Sequence, residues 1–298
     1  SMAATKDCWS ERVWNADPES GDRIQISFID IARAYFNAKI SDENPIYVEL
    51  PPEDEDHGRG MCARLNVHMY GTRPAADGWH CEFSGTLESI GMVKGTSSAC
   101  VFRHEERQLL CTVHGDDFTT VGPKSSLDWF KSKLEEHYEL KEAARIGGGK
   151  RDDKQARVLN RVVSWQEHGL TYEADPRQHE KLIRELGLEG SKPVGTPCVK
   201  HSSEEIARDE ELLEHKVTHF RGLAARGNYL SADRPDCQYA AKEVCRFMAK
   251  PTKMSVQDMK RLARYLLGKP RLVYEYPWQS ADAIDVYSDT DWAGCLKT

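Results

Sequence analysis

Apolar positions in this chain fall into short, strand-length runs, broken by a few longer stretches of helical period. Residues 23–29 (RIQISFI) alternate and then run apolar, which predicts a strand ending at Asp30; residues 32–38 then carry helical spacing. Between Pro45 and Pro52 the run IYVEL predicts a short strand stopped by two prolines, with an acidic loop to Asp56 beyond it. A helix is expected over 79–90, ended by Gly91. Residues 99–104 and 109–113 read as strands, His114-Gly115-Asp116-Asp117 turns the chain, and 118–121 returns it. That is a β-hairpin with acids at its tip. Pro123 and Ser125 then open an amphipathic helix with Leu127, Phe130 and Leu134 on one face.

Farther along, the Gly- and charge-rich stretch 145–155 reads as a loop, 158–165 as a strand and 176–186 as a helix. The Gly/Pro-containing segment 190–197, with the polar run to Glu211, reads as a linker. Beyond it the pattern is mainly helical. Ser255-Val256-Gln257-Asp258 reads as a capping box opening a helix that turns Met259, Leu262, Ala263 and Leu266 inward and stops near Gly268. Residues 283–288 (AIDVYS) predict a last strand ending at Asp289. The class implied is α+β. There are no internal repeats and no low-complexity tract.

Composition narrows the setting. With 298 residues, 39% of them hydrophobic, the chain has room for one large domain or two ordinary ones and is not of disordered composition. No apolar run approaches the ~20 residues of a membrane span, and the start has no signal-peptide core. The nine cysteines are scattered without a CxxC pair, which argues against a disulfide framework or zinc site and for a reducing, intracellular setting. Ser1-Met2 reads as an expression scar or as the cut end of a longer reading frame. The net charge is −7, yet residues 221–271 hold 12 Lys/Arg against four Asp/Glu. Such a segment is either an electrostatic footprint for phosphates or a solvated helical face.

The candidate chemistry is acidic. Asp30 ends one strand, and Asp116-Asp117 stand 86 positions on, at the hairpin tip. Folded together they make a cluster of three carboxylates that repels itself unless hard cations occupy it, and Mg²⁺ is the natural occupant. Two such ions, roughly 3.5–4 Å apart, serve in-line displacement at phosphorus. Alone, Gly115-Asp116-Asp117 is also what an ordinary hairpin turn uses; the combination with Asp30 sharpens the reading.

The runs around these acids resemble the reverse transcriptase of copia-type LTR retrotransposons, from about Ile24 to the C-terminus. Asp30 to Phe36 is similar to polymerase motif A, and Leu65 to Trp79 to the family's YG…W segment. His114-Gly115-Asp116-Asp117 stands where the family usually has Tyr-Val-Asp-Asp. Phe220 to Leu230, Arg234-Pro235-Asp236, Arg246-Phe247-Met248 and Pro251-Thr252 resemble its C-terminal signature, and Tyr287 to Gly294 the opening strand of its RNase H domain. The resemblance implies an irregular segment 1–22, a right-hand polymerase palm over 23–155, the end of the palm with thumb start and linker over 156–211, a basic helical thumb or connection over 212–280, and an RNase H-like start at 281–298. It implies RNA-directed DNA polymerase activity, with Asp30 and Asp116 as principal ligands of two Mg²⁺ (or Mn²⁺) and Asp117 completing the cluster. Tyr35 would lie under the incoming sugar and exclude a 2′-hydroxyl; Ile31 and Arg73 would join it on the substrate side. Arg221, Lys260, Arg261 and Arg264 would track a template–primer backbone without reading sequence. Implied partners are an RNA or DNA template–primer, deoxynucleoside triphosphates and the remainder of a Pol polyprotein, in a cytoplasmic particle or the nucleus, with no membrane.

Several positions depart from the family pattern. Pro74 stands where a nucleotide-positioning Gln is general and cannot make its hydrogen bond; Asp77 replaces a commonly basic residue; His114-Gly115 replaces a bulky, strand-forming pair. The fingers strands expected before motif A and most of the RNase H domain are missing, so Asp289 has no partners and no nuclease activity is expected. Two competing readings follow: a catalytically decayed remnant that at most binds nucleic acid, and a module kept for its surfaces.

Overall fold

The computed structural model describes residues 22–174, 176–279 and 285–288. They divide into one unit formed by the chain up to Lys154 together with the described residues after Pro277, and one spanning Gln155–Pro277, each with its own apolar core.

In the first unit the order is β1 (Ile24–Ile31), β2 (Tyr47–Glu49), β3 (Cys62–Arg64), α1 (Ala75–Ser89), β4 (Val93–Lys94), β5 (Val101–His104), β6 (Leu109–His114), β7 (Asp117–Pro123), α2 (Lys124–Glu135) and β8 (Leu140–Gly147). Six strands form one sheet in the order β4-β5-β6-β7-β1-β8, with every pairing antiparallel, while β2 and β3 make a separate ribbon. The α+β class is met. Because β1 lies between two partners, it is buried over nearly its whole length. Its side chains alternate between faces: Ile29 and Ile31 join Trp79, Phe83 and Leu87 of α1 and Leu127, Phe130 and Leu134 of α2 in the core. Asp30 therefore stands on the face turned away from the helices. The amphipathic spacing of 127, 130 and 134 led to the right helix because its apolar stripe is what the sheet covers.

Three local expectations are corrected here. The helix read over 32–38 is a single 3-10 turn, Ala34–Asn37: Arg33 adopts a left-handed conformation, and Ala38 is extended, its carbonyl accepting from the His68 amide. The loop read from residue 145 is still strand as far as Gly147, since β8 is an edge strand whose polar residues hide the alternation. The helix read from Trp79 starts a turn earlier, behind Pro74 at its N-cap.

The second unit runs β9 (Gln155–Val158), β10 (Arg161–Gln166), β11 (Gly169–Ala174), α3 (Arg177–Glu185), α4 (Ser203–Ala207), α5 (Glu214–Ser231), α6 (Pro235–Cys245), α7 (Lys253–Gly268) and β12 (Val273–Pro277). It is not helical alone: its four strands form an antiparallel sheet in the order β12-β11-β10-β9. The single strand read over 158–165 is in fact two, because Leu159 and Asn160 both take positive φ (48° and 60°) and turn a tight hairpin. At Gly169 the neighbouring strand comes so close that a Cβ would stand 2.3 Å from the Tyr276 carbonyl oxygen, which only glycine permits. Leu182, Phe220, Leu223, Val244, Met259, Leu262 and Leu266 fill the core between the helices. Met259, Leu262, Ala263 and Leu266 do face inward as expected, but the capping box lies one turn earlier. Thr252 caps α7, its hydroxyl accepting from the Ser255 amide while the Ser255 hydroxyl accepts from the Thr252 amide. The stretch read as a linker lies within this unit, with Val194 and Cys198 packed against its core. Of the strand expected over 283–288, residues 285–288 have no regular secondary structure and the rest lies outside the described residues, as does Asp289.

Candidate functional site

The acids are brought together by register. In the β1/β7 ladder Asp30 is directly opposite Asp117, so the two side chains share one face, the one turned away from α1 and α2. Asp116 lies in the two-residue turn between β6 and β7, where Gly115 adopts φ 65° and lets the hairpin close tightly. Two bonds hold that turn against the strand end. The Ile31 amide donates to the Asp116 carbonyl at 3.0 Å, and Trp79 Nε1 donates to the Gly115 carbonyl at 2.7 Å. Trp79 is buried in the core, so α1 positions the hairpin tip from the opposite face.

Burial, and then the neighbouring charges of Asp116 and Asp30, push the Asp117 carboxyl above the usual carboxylate range, with His114 acting the other way. Among the described residues no group of three His, Cys, Asp or Glu side chains is arranged to hold a metal ion as it stands. The donor set is nevertheless all carboxylate oxygen, the kind Mg²⁺ takes, and the repulsion felt at Asp117 is what a cation would relieve.

Beside the acids is an aromatic group. The Tyr35 and Tyr70 rings lie 4.4 Å apart between centroids, and Phe36 meets Tyr70 edge-on at 5.8 Å. Burial, then the Asp116 and Tyr35 charges, raise the Tyr70 hydroxyl, while the backbone amides of Tyr35 and Ala34 oppose this. Tyr70 thus belongs to the site, and so does Trp79. Residue reading took both only as parts of a sequence motif; an indole donor aimed at a turn carbonyl leaves no periodic signal.

The other candidates are placed variously. Ile31 has its side chain in the core and its amide engaged by Asp116. Arg73 is exposed in the turn before α1, and Asp77 lies in the first turn of that helix. The Arg221 guanidinium donates to the carbonyls of Met248 and Ala249, closing the end of the turn after α6. On α7, Arg261 donates to Thr196 Oγ1 and Arg264 to the Lys192 carbonyl, while Lys260 is exposed. Much of the positive surplus over 221–271 is internally engaged: Arg234 pairs with Asp236, Arg246 with Glu243, Lys253 with Glu210 and Arg271 with Glu173.

Comparison with known proteins gives the same direction. Residues 19–148 match the family described as "Reverse transcriptase (RNA-dependent DNA polymerase)". The chain is 25% identical over 282 residues to the retrovirus-related Pol polyprotein from transposon RE1 of Arabidopsis thaliana, covering 89% of this chain and 18% of that protein. It is 25% identical over 258 residues to the corresponding polyprotein from transposon TNT 1-94 of Nicotiana tabacum, covering 82% of this chain and 18% of the relative. A putative transposon Ty5-1 protein of Saccharomyces cerevisiae is 21% identical over 273 residues, 88% of this chain and 82% of its own length. The chain thus spans about a fifth of the length of the Pol polyproteins it matches. Among the described residues no helix is long and apolar enough to cross a membrane. The hairpin that sets Asp117 against Asp30 therefore lies inside the stretch that matches the reverse transcriptase family, and most of the chain is similar to transposon Pol polyproteins.

Proposed function

We propose that this chain carries out RNA-directed DNA synthesis, with the palm over residues 23–155, the end of the palm with thumb start and linker over 156–211, and a basic helical thumb or connection over 212–280; the RNase H-like start expected at 281–298 lies mostly outside the described residues. The observation that carries the reading is the pairing of Asp30 with Asp117 across β1 and β7, with Asp116 in the turn beside them. Asp30 and Asp116, completed by Asp117, would hold two Mg²⁺ or Mn²⁺. Cations bound there acidify a primer 3′-hydroxyl and neutralise charge on the triphosphate. The chain's own residues do the rest. Tyr35, on the 3-10 turn after β1, forms the floor under the incoming sugar and leaves no room for a 2′-hydroxyl. Tyr70 braces it. Ile31 and Trp79 keep the hairpin tip in line with the strand end. Arg73 meets the triphosphate of a deoxynucleotide, and Arg221, Lys260, Arg261 and Arg264 face the template–primer backbone, giving affinity without sequence choice. The remainder of a Pol polyprotein is the natural covalent partner.

A second reading, a remnant that keeps the fold without the chemistry, is favoured by Pro74 and Asp77. Pro74 serves as N-cap of α1 and Asp77 as the acidic residue of its first turn. Both suit the helix start, and neither supplies the hydrogen bond or positive charge a triphosphate would use. Primer extension on an RNA template with Mg²⁺ or Mn²⁺ decides between the two. Extension by the wild-type chain that drops by about a thousandfold in Asp116→Asn is the expected result. Equal signal from both proteins, or none from either, rejects polymerase activity.

A further inference from the structure

The second unit holds a cavity of about 610 Å³ between α7 and the segment 188–201 that lies along it. Its wall carries the cations Lys192, Lys260, Arg261 and Arg264, with Leu188 and Val199 as its apolar part. The one carboxylate on the wall, Asp258, is engaged by His201 at 2.8 Å. Neither the Lys192 nor the Lys260 ammonium has an ion-pair partner among the described residues. Arg264 uses Nε on the Lys192 carbonyl at 2.6 Å, which leaves its two terminal nitrogens for another acceptor. Arg261 gives one terminal nitrogen to Thr196 Oγ1 at 2.8 Å, and its buried Nε has no acceptor among the described residues. Four cations gathered in a concave wall, with donors left over, form a site for a polyanion. The volume exceeds what one phosphate fills and falls within the roughly 300–1,000 Å³ of small-molecule pockets.

We infer that this cavity binds one nucleotide unit, its phosphates against the Lys/Arg wall and its base against Leu188 and Val199. The inference deepens the role given above to Lys260, Arg261 and Arg264, from tracking a backbone to holding a discrete unit, and it stands on the second unit alone. Such a unit comes either as a free nucleotide or as the end of an oligonucleotide.

The test is calorimetric titration of the full chain, in EDTA, with adenosine diphosphate, with pyrophosphate and with a short 5′-phosphorylated oligothymidylate. EDTA keeps cations away from Asp30, Asp116 and Asp117, so binding measured this way reports separately from primer extension. Saturable binding is expected, weakened about tenfold by Lys260→Gln and by Arg264→Gln, and unchanged by Asp30→Asn. Lys260 is exposed and has no ion-pair partner among the described residues, so its variant keeps the fold, which circular dichroism checks. Binding of the diphosphate alone assigns a free nucleotide, and binding of the oligonucleotide alone assigns a chain end. No binding of either, indifference to Lys260→Gln, loss in Asp30→Asn, or pyrophosphate as tight as the diphosphate overturns the inference.

Discussion

Asp117 is the residue on which the site's electrostatics converge. Its carboxyl is pushed up by burial and by Asp116 and Asp30, so the folded chain resists ionising it. Well below the ordinary carboxylate range the group is protonated in both folded and unfolded chains, and its repulsion is absent. As pH rises through the raised folded value, the folded chain must ionise against its neighbours and loses stability relative to the unfolded one. Asp117→Asn is therefore expected to melt roughly 1–3 °C above wild type at about pH 7 and level with it at about pH 3, as thermal denaturation at the two pH values would read. Added Mg²⁺ should narrow the gap at neutral pH by stabilising the wild type alone. A variant no more stable than wild type at neutral pH would mean that the three acids do not strain one another.

At the scale of elements, caps and turns decide boundaries. Thr252 and Ser255 exchange hydrogen bonds at the start of α7, and Thr252→Ala is expected to cost about 1 kcal/mol in urea unfolding. Ser255→Ala should also destabilise, since Ser255 is the fully buried partner in that exchange and not the cap itself. The sequence had the helix and its inward face but not this cap, because a Ser three residues after a Thr is an unusual partner and Ser255-Asp258 imitates the common one. The strands around Asp30 and the acidic hairpin were legible for a plain reason: β1, β6 and β7 are buried, and burial imposes an apolar run. Edge strand β8 and the β9/β10 turn at Leu159-Asn160 were not, since polar edges and a Leu at positive φ give no sign of themselves in composition. The site followed the same division. The carboxylates could be read from strand ends, whereas Tyr70 and Trp79 act through a ring contact and a single hydrogen bond that only the folded chain brings about.

On the scale of the whole molecule, two cores mean two places to unfold. Phe102 is fully buried in the core of the first unit, among Phe83, Phe118 and the α1 and α2 side chains. Phe102→Ala is expected to remove about 3–5 kcal/mol from that unit and to leave protection of the second unit's amides unchanged in hydrogen exchange. Equal loss of protection in both would mean the cores unfold as one. The sheet of the second unit adds a consequence in time. Strands β10 and β11 pair across a short turn, but the outer edge of β11 is covered by β12, where Glu173 is matched with Val273. The covering strand is synthesised some hundred residues after the edge it covers. During translation, then, β11 leaves the ribosome with an unpaired row of amides and carbonyls, and at ~5–20 residues per second it waits seconds for its partner. Any nascent chain released before residue 273 carries that edge permanently, which makes premature termination in this stretch a direct route to aggregation rather than to a shorter folded product.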